Sequence, residues 1–239
     1  MQQQGAAEES RFVMDEHRIT INTYHEYMCE AFAVLRLGLN ALADAKAQEE
    51  DDHVTNWLWV SSGMQCRFAF LLAANALEAA ANAMLLGLEL STASYTDLEK
   101  LPTLLKIETF CLAKGRRLER GNVLYTRVKD VVKCRNEFVH PKPTKISAKL
   151  NSDATDVELQ IPKTSTRQYP TSFSLFEPDH AITAFRDILA FLSWVVVDIC
   201  KIPQREVPLL LGYNSYGSSG DVSIVGEEYG FDLRTFNNK

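Results

Sequence analysis

The sequence predicts a mainly α-helical fold: an antiparallel helical bundle with a small inserted β-hairpin and an irregular C-terminal tail. Three observations carry this expectation. Apolar residues in the first two-thirds of the chain recur at helical spacing, and the stretch LLAANALEAAANAMLLGL is apolar nearly all round, as a central bundle helix must be. Between residues 145 and 176 the texture changes to short alternating runs. Beyond Pro203, the glycines Gly212, Gly217, Gly220, Gly226 and Gly230 break any regular pattern.

Each element follows from local chemistry. Residues 1–10, MQQQGAAEES, hold two acids and no apolar run, which fits a disordered N-terminus and not a signal peptide. Residues 12–47 are rich in Ala, Leu, Met and Glu and contain no proline, so a first long helix is expected. The acidic run at 49–52 predicts an exposed turn, and residues 54–90 predict a second long helix. Within it Asn75, Glu78 and Asn82 stand at i, i+3 and i+7 and share one face. Polar groups on a buried helix either bind one another or line a cleft, and both remain open. Thr96, Asp97, Leu98 and Glu99 fit a capping box, followed by Pro102 in the first turn of a helix over 103–114 that Gly115 stops. A further helix, from about 121 to 139, carries Val123, Leu124, Val128, Val131, Val132 and Phe138 at near-helical spacing. Pro141 and Pro143 end it, and Pro141 pushes His140 towards extended geometry. KISAKL, VELQI and TSFSLF read as short strands, the first two joined by the turn-rich NSDATD. Glu177, Pro178, Asp179 and His180 open a last helix over 181–200, stopped by Pro203. Residues 11–202 are thus expected to form a single domain with 145–176 inserted, and 203–239 a C-terminal arm that packs on a neighbour.

Composition narrows the functional class. With 46% hydrophobic and 23% charged residues, 239 residues can bury a sizeable core without disulfides or metals. The longest apolar stretch, about 68–88, is interrupted by Asn75, Glu78 and Asn82, each costly in lipid, so a buried helix and no membrane are expected. Cys29, Cys66, Cys111, Cys134 and Cys200 are odd in number and widely spaced without a CxxC, which predicts free thiols and a cytoplasmic, reducing setting. There is no Gly-rich phosphate loop, nucleophile elbow or HExxH. His17, His25, His53, His140 and His180 make no metal-ligand spacing, so no cofactor is expected. Trp57, Trp59 and Trp194 are expected in the core or at an interface. The net charge of −6 hides a basic block: residues 114–149 hold eleven Lys and Arg against three acids, +8 there and −14 elsewhere. Such a block is either a solvated face or the footprint of an anionic ligand such as RNA.

Inside that block lies Cys134-Arg135-Asn136-Glu137-Phe138-Val139-His140-Pro141. A helix ending Arg-Asn-x-x-x-His-Pro, late in a helical domain, resembles the HEPN superfamily (higher eukaryotes and prokaryotes nucleotide-binding). Its members share an antiparallel helical bundle and often carry Arg-x(4–6)-His. Arg135 and His140 match with four residues between them, and Asn136 matches the polar residue that often follows the arginine. Arg11 with His17 and Arg18 with His25 satisfy the same spacing. The helix end, Asn136, the proline stop and the basic surroundings set Arg135 and His140 apart. The resemblance covers about 54–139, with 178–200 as a closing helix; the N-terminal helix, the hairpin and the tail carry no such motif.

The resemblance implies a metal-independent endoribonuclease assembled across a homodimer, the kind that acts as the toxin of a toxin–antitoxin pair or as a defence effector. An antitoxin or another protein would then be its partner. In that chemistry Arg135 holds the scissile phosphate, His140 moves the proton of a ribose 2′-OH, and Asn136 supports them. Arg127, Lys133 and Lys142 add RNA-binding charge, with Asn75, Glu78 and Asn82 as a supporting polar stripe. The second expectation is a non-catalytic HEPN-like module that dimerises or binds a partner or ligand, with Arg135 paired to Glu78 or another acid. The motif helix is expected antiparallel to the helix of Asn75–Asn82, with Glu78 or Asn82 within about one turn of the Arg135–His140 end.

Overall fold

A computed structural model of the chain describes residues 23–48, 53–140, 147–150, 157–160, 168–170, 175–203 and 207–211. The structure is mainly helical. Helices α1 (Thr23–Ala47) and α2 (His53–Leu86) pack against one another as the longest pair. On α1 the buried residues Tyr24, Met28, Ala31, Leu35 and Leu39 recur at three- and four-residue steps, which makes one continuous apolar face. Gly38 lets that face come close: a Cβ there would lie 2.8 Å from Cys66 Sγ and 3.2 Å from the Cys66 backbone nitrogen. Burial at this crossing pushes the Cys66 thiol up to about 11.

The second half of α2 is the hub of the molecule. Ala73, Ala74, Ala76, Ala79, Ala80 and Ala81 are all buried, and such small side chains admit neighbours on several sides. Besides α1, those neighbours include α4 (Thr103–Ala113), α5 (Val123–Val139) and α6 (Pro178–Ser193). By length and composition α2 would pass for a membrane span, yet 61% of its most apolar window is buried inside the protein.

The helix ends show where local signals were read correctly and where they were not. Residues 96–99 do not form a capping box. Short helix α3 (Thr92–Leu98) starts earlier, because Ser91 supplies the cap and accepts from Ser94 N at 3.3 Å. Thr96 therefore lies inside α3, its hydroxyl donating to Thr92 O at 2.9 Å. Pro102 is the N-cap of α4, one position before its first turn, and Gly115, at φ 68°, follows its end. Asn122 caps α5 by accepting from Leu124 N at 2.8 Å. Glu177 and His180 cap α6 reciprocally, so the helix starts at Pro178 and His180 Nδ1 accepts from Glu177 N at 2.9 Å. Residues Trp194–Ile199 continue α6 as a π-helical turn.

Strands β1 (Ser147–Leu150) and β2 (Val157–Gln160) pair antiparallel, with Ser147 opposite Gln160 and Leu150 opposite Val157. A last short helix, α7 (Val207–Leu211), buries Val207 and Leu211, and Leu210 reaches Gly87 just past α2. This part of the expected C-terminal arm thus packs on its own chain. The expected elements at 1–10 and 12–22, the turn 151–156, most of TSFSLF and the arm beyond 211 lie outside the described residues.

Candidate functional site

Two contacts fix how α5 lies on α2. Phe138 meets Phe70 with ring centroids 5.6 Å apart, and Arg135 Nη2 donates to Asn75 Oδ1 at 3.2 Å. Residue 138 sits with 70 and 135 with 75, so the two helices run in opposite directions. Phe70 also packs against Tyr169 and Phe176, at 6.1 and 4.8 Å between centroids. This aromatic cluster anchors the C-terminal turn of α5, which carries the motif.

On that turn Asn136 joins the other two motif residues. Its side-chain oxygen accepts from Arg135 Nη1 at 3.0 Å, and its backbone carbonyl accepts the His140 N–H at 3.0 Å. At i and i+4, Asn136 and His140 share an exposed face, while Arg135 is turned towards α2. His140 is the C-cap, at φ −123° and ψ 65°, and its ring is exposed.

The partners of Arg135 differ in kind from those of nearby cations. Arg120 makes a two-pronged pair with Glu108 at 2.9 and 2.6 Å. Arg127 lies 3.4 Å from Asp187, and Lys106 is paired with Glu78. Arg135 is held by two neutral amides, Asn75 and Asn136. Among the described residues no carboxylate pairs with it, so its orientation is fixed there without its charge being neutralised.

The polar face of α2 divides between two helices. Asn75 accepts from Arg135 of the motif. Glu78 accepts from Lys106 Nζ and Thr103 Oγ1, and Asn82 accepts from Lys106 Nζ at 2.8 Å. Lys106 is only 4% exposed, so its ammonium requires these acceptors. Glu78 is therefore the counter-charge of Lys106, and the expected pairing of Glu78 with Arg135 is replaced by that of Asn75 with Arg135. The physical reason is the level of the crossing: α5 meets α2 at Asn75, and α4 meets it one turn further on.

The expected RNA-binding cations fall in different settings. Lys133 is exposed on the outer side of α5. Arg127 is half-exposed, with its guanidinium beside Asp187. Lys142 lies outside the described residues. Asp187 itself is buried and accepts from Gln168 and Tyr169 at 2.9 and 2.8 Å. Burial and this neighbouring carboxylate push the Tyr169 phenol well up. Asp187 and Lys106 were not singled out from the sequence. Asp187 opens the apolar run DILAFL and Lys106 stands between Leu105 and Ile107 in LLKIETF, and a charge so placed is the signal that could have found them. Among the described residues, no group of three or more His, Cys, Asp or Glu is placed to hold a metal ion.

No protein-family model, curated protein or solved structure matches the chain.

Proposed function

We propose that the protein is a HEPN-like endoribonuclease that cleaves RNA without a metal, with Arg135, Asn136 and His140 as its working residues. The observation that carries this reading is the setting of Arg135. It is a guanidinium oriented by two neutral amides, five residues before an exposed histidine, in the last turn of a helix within the basic block.

His140 takes the proton of a ribose 2′-OH, and the freed oxygen attacks the adjacent phosphorus. Negative charge grows on the non-bridging oxygens, where Arg135 donates and offsets it. The bond from phosphorus to the 5′-oxygen breaks, and the imidazolium returns a proton to that leaving oxygen. The products are a 2′,3′-cyclic phosphate and a 5′-hydroxyl end. Asn136 and, from the opposing helix, Asn75 position Arg135. Lys133, Arg127 and Lys142 draw the RNA backbone in, so binding weakens as salt rises. A homodimer with α5 at or beside its two-fold axis would place two motifs around one groove. Such an enzyme would act as a toxin or defence effector in the cytoplasm, restrained by an antitoxin or comparable protein partner.

A second reading has its own support. Two hydrogen bonds to its own chain are also what a helix-packing arginine makes, which fits a non-catalytic dimerisation or partner-binding module. RNA cleavage by purified Arg135→Ala and His140→Ala variants separates the two. Loss of cleavage in both is expected of the enzyme, with circular dichroism unchanged, the melting temperature of His140→Ala nearly unchanged and that of Arg135→Ala lowered only by the loss of its bond to Asn75. A wild-type protein that leaves RNA intact and does not arrest growth when overproduced supports the module.

A further inference from the structure

The first half of α2 presents an apolar stripe to solvent. Trp57, Val60, Met64 and Phe68 are 67%, 66%, 59% and 54% exposed, with Val54 beside them at 55%. Residues at 57, 60, 64 and 68 follow i, i+3, i+7 and i+11, so they form one line along the helix. We propose that this stripe is the surface on which a second copy of the chain docks.

Several features favour a self-association surface. From His53 to Leu77 the sequence holds one residue of the Asp, Glu, Lys and Arg types, Arg67. The Arg67 guanidinium lies towards Gly63, to one side of the stripe. Loss of charge with gain of Trp, Phe and Met is the composition of an interface centre rather than of ordinary surface. A two-fold axis sets like against like, and in a chain of net charge −6 an uncharged patch can meet its copy without repulsion.

The area is adequate as well. Five side chains with roughly 100 Å² bare apiece give about 500 Å², close to the apolar share of the ~800 Å² that each partner contributes to a standard interface. It also reaches the size at which an exposed apolar patch marks an interaction site. A helix that lies on lipid carries Lys and Arg along its polar face, and this segment of α2 does not, so a membrane surface is the poorer occupant.

The position links the stripe to the site. Trp57 and Asn75 are 18 residues apart, five full turns, and hence on the same side of α2. α5 reaches that side of α2 at Asn75, through Arg135, and the exposed stripe ends at Phe68. A second copy on the stripe therefore lies beside the His140 end of α5. This deepens the two-fold arrangement of the proposed ribonuclease, but it is tested by mass and not by cleavage.

Trp57→Glu and Met64→Glu replace exposed side chains, so the fold should survive, as circular dichroism would verify. Leu112→Glu, at an exposed site on α4 away from the stripe, is the control. Sedimentation equilibrium at micromolar concentration should give twice the chain mass for wild type and Leu112→Glu. For the two stripe variants the dimer should weaken by about thirtyfold or more. A monomeric wild type, with or without binding to phosphatidylcholine vesicles, would overturn the proposal, as would well-folded stripe variants that dimerise like wild type. RNA cleavage by a monomer would retain the ribonuclease and discard the docking surface. A stripe-dependent dimer that leaves RNA intact would do the reverse.

Discussion

The Asn136 side chain holds one member of the motif, its amide oxygen accepting from Arg135, while its backbone carbonyl makes the ordinary helical bond to the His140 N–H. Asn75 completes the hold from α2. Asn75→Ala should release the guanidinium to wander, lowering the cleavage rate about tenfold while costing about 1–3 kcal/mol of stability. Steady-state cleavage and a urea melt check both; a tenfold loss of rate with dimerisation intact is the expected pattern. The identity of this partner was only half legible in the sequence. Helical phase puts Asn75, Glu78 and Asn82 on one face, but it cannot say which neighbouring helix crosses at which turn. Lys106, set between Leu105 and Ile107, decided that allotment by claiming Glu78 and Asn82.

Among the elements, α1 and α2 depend on a close approach at Gly38. In an exposed helix interior, Gly→Ala stabilises by about 1 kcal/mol. Here the added Cβ meets Cys66 Sγ at 2.8 Å and backbone at 3.2 Å, so Gly38→Ala should instead destabilise by about 1–3 kcal/mol in a denaturant titration. The link between α4 and α5 has a pH signature. Arg120 donates twice to Glu108 and holds its carboxyl below the usual range, with Tyr125 adding a third hydrogen bond. A lowered carboxylate contributes stability above its unfolded value of about 4.3, and that contribution is lost as pH falls through the lower folded value. Tyr125 is pushed up to about 12 by burial and by Glu108, so its contribution holds below about 10 and is lost as pH rises towards 12. Melting temperature should fall below about pH 4 and again above about pH 10, and Glu108→Gln should flatten the acid limb. The long helices were legible because their apolar period and stops are local. The start of α3 was not, since Ser91 and Thr96 are both residues that cap helices and the sequence does not rank one above the other.

At the scale of the whole molecule, charge and apolar surface are segregated. The basic block surrounds α5, while the bare apolar stripe occupies the first half of α2. Trp57 and Trp59, expected in the core or at an interface, are exposed. Helical period alone does not distinguish a residue that faces a neighbour within the chain from one that faces solvent. The proposed chemistry rests on the sequence motif and the setting of Arg135, and a single reaction examines it most directly. Purified protein is incubated with RNA in excess EDTA, and the ends of any fragments are analysed. Fragments bearing 2′,3′-cyclic phosphate and 5′-hydroxyl ends, absent with His140→Ala, are the predicted result. Cleavage that requires added Mg²⁺, or that persists unchanged in His140→Ala, would contradict it.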